Sequence, residues 1–371
     1  MLICVEQMCG ISSLDAGTAV ARAFAERGAQ CAVVPIGLPG SGAAAALADA
    51  IDAPLSPVVV TDGGSAEGAV AGDTAVLAVV ASEASDRFAA GSGLVGTALD
   101  ALLAAHPSVR DIYLDVTGGG WHDGGAGLLS ALGARADVTL DAGVDGLRGI
   151  TAIDLSPAVA RLGGRRITLV AATEDAGSPL TGLRGITSRL GGRDDLPLER
   201  QLEIDQALQD LADACRRAGG AASGISRGGS SHGGLGFAVL TLGGRVQRGL
   251  DVCSGLTGLS ASVAQADLVV TGCDELDFGH WDKTAVIEIA AEVGAAVPVI
   301  AVARENHITA RELRSQLIES AHSLQVAPAS DPLGADRARV MSQITEAASG
   351  IARSWFPDRS DPAARRTASG D

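Results

Sequence analysis

Carboxylates set beside glycine loops, together with a single lysine, are the residues of this chain best equipped for chemistry. The run Thr117-Gly-Gly-Gly-Trp-His-Asp-Gly-Gly-Ala-Gly127 surrounds Asp123 with Gly118, Gly119, Gly120, Gly124, Gly125 and Gly127. Asp175 opens the turn-rich segment Asp175-Ala-Gly-Ser-Pro-Leu180, and Gly233, Gly234 and Gly236 close a glycine- and serine-rich loop that begins at Gly228. Gly272 leads into Cys273-Asp-Glu-Leu-Asp277, with Lys283 shortly after. Glycine lets a backbone turn sharply or touch a ligand closely. A glycine loop between a strand and a helix start offers free N–H groups and a favourable dipole to an anion. Carboxylates at such loops can hold magnesium, and a lysine can offset the charge of a transferring phosphoryl group. Taken singly, each residue also fits a plain turn or a solvated surface. As a set they favour phosphoryl transfer.

Other chemistries lack their residues. The sequence holds no G-x-x-x-x-G-K-[ST], no full G-x-G-x-x-G opening the first helix, no H-x-x-x-H pair and no G-x-S-x-G elbow. The six cysteines are scattered without C-x-x-C spacing, which predicts free thiols in a reducing compartment. A net charge of −16 disfavours nucleic acid or an anionic membrane as a partner. The first residues lack a basic region and read as a strand, and no apolar run reaches the ~18 residues a span requires. The expectation is a cytoplasmic protein with small-molecule partners and an open oligomeric state.

The elements that would position these residues alternate strand and helix over short connections, the pattern of a parallel sheet with helical crossovers. Strands are expected at Leu2–Glu6, Gln30–Ile36, Val58–Thr61 (as a buried strand), Thr74–Val80, Arg165–Ala172, Leu268–Thr271 and Val297–Ala303. A first helix should start at Ser13 as N-cap. Further helices are expected at Ala43–Ile51, Leu94–Ala105, Leu196–Ala218, near Leu256–Gln265, at Thr284–Val293, near Ala310–Ala321 and at Ala335–Trp355. The stretch Asp111–Gly133 reads as strand, glycine loop and helix, and a polar tail follows Phe356.

At its loops the chain resembles the glycerate kinase family of two-domain, ATP-dependent kinases that lack a P-loop. Thr117–Gly127 with the following Leu-Leu-Ser-Ala-Leu-Gly-Ala is similar to that family's G-G-S-A-T-N-D-G-G-A-G-M-x-x-A-L-G-A. Asp175-Ala-Gly-Ser-Pro-Leu-Thr-Gly182 resembles its D-V-x-N-P-L-x-G, Gly233–Gly236 its G-G-x-G, and Ala266–Gly272 its A-D-L-V-I-T-G. Departures fall at Glu6-Gln-Met-Cys9, where the family carries D-S-F-K, at Leu38 and Ser41, where it carries acids, and at Trp121 and Trp281.

The resemblance implies an α/β fold of two α/β domains. A discontinuous Rossmann-like parallel-sheet domain (1–53 plus 247–355) would carry a second α/β domain inserted at 54–246, with 356–371 as a flexible tail. It also implies ATP-dependent phosphorylation of a small hydroxy acid, D-glycerate to phosphoglycerate, with ATP and Mg2+ as cofactors. In that reading Asp123, Asp277 and Lys283 are catalytic, and Asp123 and Asp277 hold the metal. Gly118, Gly119, Gly120, Gly124, Gly125, Asp175, Gly233, Gly234, Gly236 and Gly272 bind substrate and phosphate. The alternative is a silent family member that binds a ligand or partner.

Overall fold

The computed structural model describes residues 1–60, 64–191, 196–279, 284–331 and 335–356, which fall into two compact units. Unit 1 takes both chain ends, Met1–Ala50 and the part from Cys253 onward, and unit 2 is Ile51–Val252.

Unit 1 is built on a five-stranded sheet in the order Ser320–Ser323, Val299–Asn306, Val269–Leu276, Leu2–Val5, Ala32–Val33, with every pairing parallel. Ile3, Val5, Val270, Ile300 and Val302 share a core with Phe24 of helix Ser13–Ala25 and Ile344 of helix Ala335–Trp355. The alternate residues Leu2, Cys4, Val269 and Ala301 are buried as well. Both faces are therefore covered, as the continuous apolar runs of a parallel sheet require. The first strand has Ala32–Val33 on one side and Val269–Leu276 on the other, so connections diverge from it. The carboxyl ends of the strands at such a switch point are where open α/β sheets receive ligands.

Unit 2 holds a six-stranded sheet in the order Arg245–Arg248, Arg166–Ala171, Asp111–Gly118, Thr74–Ala81, Gly64–Ala71, Ser56–Val58. The first four strands run parallel and the last two add antiparallel. Helix Leu198–Arg217 buries Ile204, Leu208, Leu211 and Cys215 but leaves Leu198 and Leu202 at the surface.

Several local expectations are corrected. The first helix is capped by Ser12, whose hydroxyl accepts from Asp15 N. Ser13 is instead buried, donating to Val5 O and accepting from Ile36 N. Ser56–Val58 is a short edge strand rather than a buried one, with Val59 84% exposed. The helix expected near Leu256–Gln265 is two helices, Gly249–Thr257 and Leu259–Val263, broken at Gly258 in a left-handed conformation. The helix expected near Ala310–Ala321 stops at Ser315, and Ser320–Ser323 becomes the edge strand of the unit 1 sheet. No helix among the described residues is long and apolar enough to cross a membrane.

Candidate active site

In unit 2 the strand Asp111–Gly118 delivers the glycine loop, and helix Ala126–Ala131 carries the chain away from it. Asp123 lies between them with no solvent exposure. Its Oδ2 accepts from Ser92 N (2.8 Å), Ser92 Oγ (2.8 Å) and Gly127 N (2.9 Å), and its Oδ1 accepts from Gly125 N (2.9 Å). Burial raises the pKa of this carboxyl, and the four donors oppose that rise. Ser92 Oγ also accepts from Leu128 N, so Asp123 and Ser92 together tie the starts of helices Gly93–Ala105 and Ala126–Ala131. Four donors thus occupy both oxygens of the buried carboxylate. Asp123, expected as magnesium ligand and catalytic residue, has in this geometry the task of organising the loop.

The neighbouring residues build a wall. Trp121 is buried and donates its Nε1–H to His232 O (2.8 Å). Its ring occupies the space a side chain at Gly119 would need, and a Cβ at Gly233 would lie 2.6 Å from its Cδ1. His122 is fully buried, with Nε2 2.9 Å from Thr187 Oγ1 and its ring edge-on to Phe88. Burial, reinforced by Arg87, pushes the His122 pKa down to about 4, so the ring is neutral.

The second glycine loop meets the first backbone to backbone. His232, Gly233 and Gly234 all adopt left-handed conformations at the start of helix Ser231–Thr241. Gly124 N donates to Gly233 O (3.2 Å), and a Cβ at Gly234 would lie 2.5 Å from Gly124 Cα. His232 Nε2 sits 3.0 Å from Val170 O, which fixes this loop to strand Arg166–Ala171. Gly236 lies within the helix, where a Cβ would overlap Gly228 O. It is a packing glycine, not a ligand contact. Gly118 and Gly125 are likewise filled from behind, by Ala81 O and the Ala238 side chain.

These loops enclose a cavity of about 280 Å³ at the carboxyl ends of the parallel strands. Of the expected site residues, Gly120, Asp175 and Gly233 line it. Arg87, Trp121, Arg189, Ser230 and His232 line it too. Arg189 donates from Nη2 to Asp175 Oδ1 (2.6 Å) and from Nη1 to Ser230 Oγ (3.3 Å). Neither arginine was legible in the sequence, since with 27 arginines in the chain none stands out by type.

Unit 1 holds the remaining candidates. Gly272 is buried in strand Val269–Leu276, where its carbonyl accepts from Glu6 N (2.8 Å) and a Cβ would overlap Val302 O. It lets the two strands approach closely, which accounts for a glycine here. Asp277 follows the carboxyl end of this strand and is partly buried. Lys283, like Trp281, lies outside the described residues. Register places Glu275 opposite Glu305, and His307 Nε2 lies 3.7 Å and 3.6 Å from their carboxylates.

Glu6, at the end of the first strand, was not among the expected site residues. It is 3% exposed; Oε1 accepts from Ala285 N (2.5 Å) and Oε2 from Ser41 Oγ (2.9 Å). It thereby caps helix Ala285–Val293, whose N-cap Thr284 makes no capping bond of its own. Burial pushes the Glu6 carboxyl up to about 7. Beside it, Cys9 N donates to Asp274 Oδ1 (2.6 Å).

A sequence profile described as the glycerate kinase family matches residues 2–356. The chain belongs to the glycerate kinase family. A protein of Bacillus subtilis (strain 168) named glycerate kinase is 29% identical to this family member over 319 residues, covering 79% of this chain and 81% of the relative. The glycerate 2-kinase of Escherichia coli (strain K12) is 26% identical over 187 residues, about half of each chain (49% and 48%). In fold, this family member resembles a crystal structure from Salmonella typhimurium LT2 provisionally described as glycerate kinase 2. The TM-score is 0.76 at 24% identity, over 95% of this chain and 97% of that one.

Proposed function

We propose that this member of the glycerate kinase family is an ATP-dependent kinase of a small hydroxy acid, with D-glycerate as the substrate to test first. The observation that carries this reading is the unit 2 cavity. Two glycine loops and the Asp175 loop meet there beside Arg87 and Arg189. The cavity, about 280 Å³ and partly open, has room for a small polar acid. The glycine backbones allow close approach of such a ligand, the arginines beside Glu174 and Asp175 offer donors to its carboxylate, and Asp175 can accept from its hydroxyl.

The nucleotide and magnesium fall to unit 1 in this proposal. Asp277 stands at the carboxyl end of a strand next to the switch point, and Glu275 and Glu305 add oxygen donors on adjacent strand ends. Carboxylate oxygens are the ligands Mg2+ prefers, and it needs only one or two of them beside phosphates. MgATP, when bound, supplies the phosphoryl group, and Lys283 is placed by sequence to balance its charge. An enzyme-coupled assay of ADP release with ATP, magnesium and D-glycerate tests the reading. Turnover that requires both ATP and the acid supports it. Absence of turnover with glycerate and with other 2- and 3-hydroxy acids refutes it.

A further inference from the structure

The cavity that the proposed function assigns to the substrate contains one cation whose orientation is fixed from two sides. Arg189 extends from helix Ile186–Gly191 and is held by Asp175, which follows strand Arg166–Ala171, and by Ser230, which precedes the kinked helix. Its side chain stays 37% exposed while lining the cavity. Asp175 and Ser230 each take one terminal nitrogen, and a guanidinium carries five N–H donors in a rigid plane. Donors therefore remain in a plane that is already set. Such a fork matches a carboxylate in two parallel hydrogen bonds, and prior fixing lowers the ordering cost of making them.

We infer that Arg189, clamped by Asp175 and Ser230, is the residue that selects an acid over its neutral analogue by taking the substrate carboxylate. The bland reading is that Asp175–Arg189 is an ion pair that only ties a short helix to a strand end. The two readings differ in one measurable respect. A carboxylate-selecting arginine matters for charged ligands and not for neutral ones of the same shape, whereas a structural tie matters equally for both.

The test compares D-glycerate with glyceramide, its neutral amide, in the full chain and in Arg189→Gln and Arg189→Lys. Turnover is read by ADP release and binding of each compound alone by calorimetry. In the wild type, glycerate should be preferred by about 100-fold in kcat/KM or affinity. Arg189→Gln should erase most of that preference by weakening glycerate alone, with the KM for ATP unchanged. Arg189→Lys keeps the charge and loses the fork, so it should lose about tenfold. If Arg189→Gln fails to fold, the Lys variant carries the same comparison. Equal losses for both ligands, or none for either, overturn the inference. The calorimetric arm separates it from the kinase reading. A wild type that binds glycerate through Arg189 without turning it over refutes the kinase and leaves the selector standing. A wild type that turns over glycerate and glyceramide equally does the reverse.

Discussion

Asp123 shows how a residue conspicuous in a sequence can carry a structural task. Its glycine surroundings marked it as special, and they are special because the loop folds onto the carboxylate. What the sequence could not show was Ser92, which supplies two of the four donors from a distant segment. Asp123→Asn would point an amide N–H at one of those donors. We expect a loss of about 2 kcal/mol, the cost of leaving a buried donor unpaired. Urea unfolding with an unchanged m-value checks it, and a loss below ~0.5 kcal/mol would remove the organiser role. Asp175 was also marked by its turn-rich surroundings, and it does line the cavity. Its partner Arg189 was hidden among many arginines. Glu6 was hidden because nothing in a strand's last residue announces that a helix start far along the chain will dock on it.

At the scale of elements, strongly periodic segments were legible and tertiary ones were not. Helix Ala335–Trp355 stands where its pattern put it. The strand Gly64–Ala71 was not foreseen, because Gly-Ser-Ala-Glu-Gly-Ala is poor in strand formers and forms by pairing with Thr74–Ala81 and Ser56–Val58. The helix from Ala310 ends early without a glycine signal, since Leu317 takes the left-handed conformation (φ 62°) that glycine usually supplies. The kinked helix Ser231–Thr241 is the element on which the cavity most depends. Its first turn is left-handed, and Gly234 (φ 94°) touches the first loop. Gly234→Ala should therefore cost at least ~2 kcal/mol and separate the two loops. Thermal unfolding measures the cost, and calorimetry should show weakened binding of the acid. Unchanged values for both would mean that the loops do not need this contact.

For the whole molecule, the two units carry buried groups with opposite responses to pH. His122 is neutral in the fold with a pKa near 4 against an ordinary 6.5. The unfolded chain thus binds more protons between these values, and stability rises with pH across them. Glu6 has a pKa near 7 against an ordinary 4.5. There the folded chain binds more protons, and stability falls as pH rises from 4.5 to 7. Each contributes at most about 3 kcal/mol. Glu6→Gln can keep both hydrogen bonds, accepting from Ala285 N and donating to Ser41. Its stability relative to wild type should grow from pH 4.5 to 7 and then level, as read by chemical denaturation at each pH. A difference independent of pH would show that Glu6 is not titrating in that range. The division into two units also sets the order in which their pieces are synthesised. Leu2–Val5 pairs with Val269–Leu276, yet the residues of unit 2 intervene. During synthesis the first strand can pair at once with Ala32–Val33, but its other neighbour is made only after the roughly 200 residues of unit 2. All of unit 2 emerges in one uninterrupted stretch before that partner exists. The central sheet of unit 1 is therefore completed only after the whole of unit 2 has been made.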